Sequence, residues 1–412
     1  MESLPNHEPG ASLSGQTAAA DELLEPEAIA PSGFAEAGEA FVGASHGGLP
    51  PLLDAQQGRI SRVVMAVPRR AAVHRPLPLR RVLTALPHRA AIDILVAPEA
   101  TDAVSKWVDQ TGPGALACLI QARTGLGFPL WVQDIVLGRD LGILSALGDP
   151  EEETIPEAVS TLADGAEVQV NQLNARVAGG NVLACGNRLL IGADSLRDSG
   201  MDLPTLAAAI DPWRKPLLLG TQRPLPIEEA HPTDTPAEGW TETIHWRCIE
   251  GSRQPMPRLD LFVTPAGRDA RARARFVVGC PRRGAEALGQ ECLPHALADA
   301  FDEIAEQLHR EGANVVRNPL PLVWKDDPQR KRRTWFHLPT NNVIIDDGGK
   351  EGRTVLLPCF ADESWPSLAE IDSMNAAIWA WMGYSVVRIP DMLSLAEGFG
   401  GPRRIVQVIA RD

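Results

Sequence analysis

The order in which strand-like and helix-like segments follow one another most limits the folds open to this chain. It is cleanest in the last third. Strand-type runs at Thr334–Leu338, Pro339–Asp346 and Thr354–Phe360 precede a helix-period segment at Ser367–Trp381, the strand Ser385–Ile389 and a closing Gly398-Phe-Gly-Gly401 turn. The same alternation opens the ordered part. Ile60–Val67 and Ile92–Ala97 read as strands flanking a helical Leu77–Ala90, followed by a short helix at Ala103–Gln110 and strands at Ala115–Gln121 and Leu130–Leu137. Units of comparable size in this order predict an α/β fold. The repetition lies in the order of elements, and no repeat is visible in the residues themselves.

Between these ends the pattern loosens. An acidic run at Asp149–Glu153 followed by a helix-like patch reads as a solvated insertion. Ala178-Gly-Gly-Asn181 reads as a tight turn leading into a strand hairpin through Gly186-Asn187. Residues 211–257 are proline-rich and predict a loop-rich connection with one strand, and Pro257–Pro265 predicts another strand. Leu297–Glu311 has the spacing of an amphipathic helix, and Lys325–Arg333 reads as a basic loop. Residues 1–57 are rich in Ala, Gly, Ser, Pro and Glu with few apolar groups and predict a disordered leader, leaving 58–412 as the folded domain.

Composition bounds the function. The chain has 412 residues, 44% hydrophobic and 22% charged, enough for a large core, and its net charge of −14 excludes a nucleic-acid footprint. With no apolar run of membrane-spanning length and no signal-peptide pattern, no membrane partner and a cytoplasmic location are expected. The six cysteines show no CxxC or Cys/His metal spacing and are expected to be reduced and mostly buried; no metal or other cofactor is identified from the residues.

One carboxylate demands an explanation. Asp134 interrupts the apolar run Phe128-Pro-Leu-Trp-Val-Gln-Asp-Ile-Val-Leu, where an unpaired charge would be costly. It either caps a turn or forms the acidic end of a site that grips a cation. Asp260, in Leu259-Asp-Leu-Phe, is a second inward candidate.

Taken together, Trp131-Val-Gln-Asp134, Gly180-Asn181-Val-Leu, Leu259-Asp260-Leu-Phe, Phe336-His-Leu-Pro-Thr-Asn341-Asn342-Val-Ile-Ile and the closing glycines resemble the guanidine-modifying, or pentein, superfamily. The motifs are most similar to the catalytic domain of protein-arginine deiminases, with agmatine deiminases a weaker match. The resemblance implies a five-bladed propeller of ββαβ units with its site on the central axis. It makes Asp134 and Asp260 the guanidinium-binding carboxylates and Trp131 the aromatic against the substrate stem. Gln133, Asn181, Asn342 and Arg403, in the same motifs, join Trp131 as substrate-binding candidates. An arginine-containing peptide or a small guanidine would be the ligand. A homodimer is the assembly considered, and calcium enters by family resemblance only.

Two departures weigh against catalysis. The family histidine, two residues before the second aspartate, is Arg258 here, and the nucleophilic cysteine falls on Arg404 or its neighbour Ile405. Arginine stays protonated and is neither nucleophile nor usable base. The chain therefore reads as a degenerate or repurposed guanidine-binding domain. The alternative is an active hydrolase forming citrulline or a ureido product with relocated groups, Cys359 or Cys185 as thiol and His245 as proton carrier. A purely structural, assembly-type role is the third reading. Arg258 and Arg404 either pair with the two aspartates and fill the guanidinium space, or face the mouth and favour a carboxylate or phosphate.

Overall fold

The computed structural model describes residues 50–110, 116–140, 142–146, 154–222, 224–225, 239–244, 250–290 and 295–412. All described residues belong to one compact unit. His245, Cys248, Cys292 and the acidic run Asp149–Glu153 lie outside the described residues.

One motif builds five of the six sheets found among the described residues. An antiparallel strand pair is followed by a helical crossover and a third strand parallel to the second. In the first module Val136–Arg139 pairs with Gly142–Ala146, and Gln169–Leu173 returns parallel after the helix Ile155–Ala166. The second joins Val182–Cys185, Arg188–Gly192 and Lys215–Leu219. The third joins Val263–Arg268, Ala274–Cys280 and Asn314–Pro319, and the fourth Ile344–Asp347, Arg353–Pro358 and Ser385–Ile389. The fifth is closed by the two ends of the fold. The last strand, Val406–Arg411, runs antiparallel to Ile60–Val67, which lies parallel to Ala91–Val96, with Leu116–Gln121 added outside.

The crossovers are amphipathic and cover one face of each sheet. In the third module the helix His295–Arg310 buries Leu297, Phe301, Ile304 and Leu308, with the Phe301 ring set edge-on to Phe262 at 5.1 Å. First and second strands are buried almost throughout, so they read as continuous apolar runs rather than alternating ones.

Several expectations are corrected. The patch after the acidic run is no solvated insertion, because Ile155–Ala166 turns Ile155, Val159 and Leu162 into the core. The supposed strands Leu130–Leu137 and Pro257–Pro265 begin as single helical turns, Val132–Asp134 and Leu259–Leu261. The basic loop Lys325–Arg333 is a hairpin, Leu322–Asp327 against Arg332–His337. With Thr241–Ile244 parallel to the second strand, it forms the one sheet outside the repeated motif. A strand at Lys215–Leu219 went unrecognised in the proline-rich stretch. Cys118 is exposed, whereas Cys185, Cys280 and Cys359 are buried and unpaired. Leu52–Gln57, assigned to the leader, is docked on the fold. Leu52 bridges to Arg139 and is buried, and the Asp54 carboxylate accepts the Gly186 N–H at 2.7 Å. Two apolar anchors, Leu52 and the buried Ala55, and one carboxylate suffice where composition alone pointed to disorder. No described helix is long and apolar enough to cross a membrane.

The closing strand is integral to the core, since Ile409 is fully buried. Ile409→Ala is expected to lower global stability by about 2–5 kcal/mol in chemical denaturation. Loss of protection confined to residues 406–412, with an unchanged global midpoint, would mean that the strand frays on its own.

Candidate functional site

Each repeated module is entered through a short turn, and the same position in each turn carries a polar side chain. These are Asp134, Asn181, Asp260, Asn342 and Arg404, each followed by two apolar residues that lead into the first strand: Ile135-Val136, Val182-Leu183, Leu261-Phe262, Val343-Ile344 and Ile405-Val406. The apolar pair enters the core and leaves the polar group at the strand's head. The turns of Asp134, Arg404, Asn342 and Asp260 are joined in that order by side-chain hydrogen bonds, and Asn181 of the fifth turn binds the neck of the Asp260 turn.

Asp134 and Arg404 form the centre. Arg404, 3% exposed along its side chain, donates from Nη2 to Asp134 Oδ2 at 2.5 Å and from Nε to the same oxygen at 3.2 Å. Its Nη1 donates to the carbonyls of Gly398 (2.7 Å) and Phe399 (2.9 Å). The guanidinium lies 4.6 Å from the centre of the Trp131 ring. A planar cation thus has a carboxylate at its edge, two carbonyls at its other end and an indole on its face. Arg258, 20% exposed, adds a second cation through Nε at 3.2 Å from Asp134 Oδ1. Burial alone would raise the Asp134 pKa, but the two guanidiniums outweigh it and hold the carboxyl well below the usual carboxylate range. The Arg75 guanidinium lies 5.9 Å from the centre of the Trp131 ring.

Asp260 forms a second cluster with a different electrostatic balance. Asn342 Nδ2 donates to its Oδ2 at 3.0 Å, Arg403 Nε stands 3.4 Å from the same oxygen, and the Gln133 amide adds a hydrogen bond. Asp260 is 1% exposed. Burial dominates here and, with the charge of Asp134 acting in the same direction, pushes its pKa up to about 6 despite Arg403 and Arg404.

The asparagines serve the protein itself. Asn342 also accepts the Arg404 N–H on Oδ1 at 3.1 Å, so one amide ties Asp260 to the turn of Arg404. Asn181 Oδ1 accepts from Gln254 Nε2 (2.8 Å) and from the Leu259 N–H (3.0 Å), fixing the turn that presents Asp260. The Asn342 amide and the Asn181 oxygen, expected on a substrate, already have partners within the protein. Two glycines are required by this closeness. A Cβ at Gly180 would stand 2.6 Å from Asp260 Oδ1, and one at Gly400 would overlap the Trp131 ring.

The structure therefore gathers Trp131, Asp134, Arg258 and Arg404 in one cluster and Gln133, Asp260, Asn342 and Arg403 beside it. Sequence reasoning missed Gln254, Arg75 and the two carbonyl acceptors at Gly398 and Phe399. The polar-apolar-apolar signature of the five turns was a readable signal for the cluster. Relocated thiols gain no support from their surroundings: burial, with Asp372 nearby, pushes Cys359 up to about 12, and burial raises Cys185 well above its ordinary value.

Because Asp260's pKa is raised, the folded state holds its proton more tightly than the unfolded chain does. Stability is lost as pH rises from about 4 to about 6, on the order of 3 kcal/mol at full titration. Asp260→Asn is expected to flatten the pH dependence of the urea midpoint in that window; an unchanged slope would contradict the assignment.

No protein-family model and no curated protein sequence matches the chain. Among solved structures, it is similar to a C. jejuni agmatine deiminase at 10% identity and TM-score 0.57, covering 88% of this chain and 97% of that one. It is likewise similar to a protein described provisionally as an agmatine deiminase, at 12% identity and TM-score 0.58, covering 88% and 96%. The likeness does not single out protein-arginine deiminases. It is a likeness of fold, shared with these two proteins.

Proposed function

We propose that this chain is a pentein-fold protein that does not hydrolyse guanidines, because its own Arg404 occupies the guanidinium clamp. The observation that carries this reading is the seating of Arg404, with Asp134, two backbone carbonyls and Trp131 engaging one guanidinium. The five modules fit a five-bladed ring whose turns meet on its axis, and the resemblance to deiminases makes that axis the former substrate site. Hydrolysis there would need a thiolate to attack the guanidinium carbon and a base to move protons. Arg404 and Arg258, at those positions, supply neither. The cationic filling equally disfavours an anion, since both guanidiniums are turned to Asp134 rather than to the mouth.

The remaining capacity is for binding rather than turnover, in the cytoplasm, with a small guanidine or an arginine side chain as the ligand that the clamp would accept if Arg404 were withdrawn. Agmatine deiminases, by their name, act on such a compound.

Purified protein is expected to release no citrulline, ammonia or ureido product from arginine, agmatine or arginyl peptides, with or without calcium. Arg404→Ala should empty the clamp, so that methylguanidinium raises its Tm beyond any effect on the wild type; adding Asp134→Asn should abolish the gain. Turnover by the wild type, or an Arg404→Ala variant that responds no more than the wild type, would refute the occupied-clamp reading.

A further inference from the structure

The one sheet outside the repeated motif builds a second concave surface. Its hairpin, Leu322–Asp327 and Arg332–His337, together with Asp362–Trp365 and the helix Leu393–Ala396, encloses a groove of about 670 Å³. That volume lies in the range of small-molecule sites. Trp324, Phe336, Trp365 and Leu393 provide the apolar lining, and Asp362 and Glu397 the acidic part. Trp324 and Trp365 stand edge to face, with centroids 4.2 Å apart at 77°, and Trp365 Nε1 donates to the Trp324 carbonyl at 3.3 Å, so the aromatic wall is fixed.

Charge favours one kind of occupant. Arg333 neutralises Asp326 through bonds of 2.7 and 2.9 Å, and its guanidinium lies 4.6 Å from the Trp324 ring centre. This wall therefore already receives one organic cation. Lys325 Nζ sits 2.7 and 2.8 Å from the two oxygens of Glu397, but the lysine side chain is 61% exposed and the glutamate 31%, so the pair is weak and can be exchanged. Asp362 spends one oxygen on the N–H groups of Ser364 and Trp365 and has no partner for the other among the described residues. With Arg75 acting on Glu397 and Glu242 sharing Arg333, four carboxylates (Glu242, Asp326, Asp362, Glu397) face three cations (Arg75, Lys325, Arg333), which leaves one negative charge beside an aromatic wall.

We propose that this groove binds a monovalent organic cation with an apolar stem, an alkylguanidinium or alkylammonium. Its head replaces Lys325 Nζ at Glu397, and its stem lies along Trp365 and Leu393. This site is separate from the axial clamp and does not depend on the reading of that clamp.

The test is a ligand-observed NMR titration of the full chain with butylguanidinium, and with its neutral isostere butylurea. Saturable binding of the cation, at least about fivefold stronger than that of the urea, is expected. Glu397→Gln should weaken it, and Lys325→Ala, which removes the competing cation, should tighten it by about two- to fivefold. The sign of the lysine effect separates a binding site from a merely structural ion pair, which would show no gain. Equal binding of butylurea, no saturable binding, or unchanged affinity in Lys325→Ala would overturn the proposal. So would binding that is lost in Trp131→Ala but kept in Glu397→Gln, because that places the cation at the axis.

Discussion

The ion pair between Asp134 and Arg404 is the interaction on which the centre of this protein depends. Its partners are 270 residues apart and belong to the entry turns of the first and last modules. Neither group is tolerable alone: a carboxylate among Trp131, Val132 and Ile135, or a guanidinium 3% exposed, would be a buried uncompensated charge. The pair is also specific in shape. Two donors meet the carboxylate, two meet carbonyls, and the indole covers the face, so the cation is held in one orientation. Gly400 has no side chain, and that absence lets the Trp131 ring approach.

Around this pair the other turns are arranged as supports. Asn342 reaches from Asp260 to the Arg404 backbone, and Asn181 holds the turn of Asp260 through the Leu259 N–H. The two aspartates differ in electrostatic balance. Asp134 faces two guanidiniums at close range and is held well below the usual carboxylate range, while burial outweighs the more distant Arg403 at Asp260 and raises its pKa to about 6.

Much of this was legible in the sequence, for identifiable reasons. Asp134 and Asp260 stand out because carboxylates are costly in apolar runs, and Arg258 and Arg404 because they occupy positions where the resemblance calls for histidine and cysteine. The α/β class followed from element order. What was not legible depends on geometry. A single helical turn at Val132–Asp134 has the same residues as a strand, and only the backbone reveals that it aims the carboxylate at Arg404 and Arg258. Gly398 and Phe399 act through their carbonyls, which carry no residue signature. The hairpin at Lys325–Arg333 was hidden because its charged residues pair across the strands, Asp326 with Arg333 at opposite positions, instead of marking a loop.

The most direct measurement of the central claim is a double-mutant cycle between Arg404 and Asp134, using Arg404→Met and Asp134→Asn and reading unfolding free energies. A seated guanidinium predicts strong coupling, about 2 kcal/mol or more in favour of the native pair. Additivity within about 0.3 kcal/mol would mean that Arg404 does not occupy the clamp in solution, and the site would then stand open to a guanidine from outside.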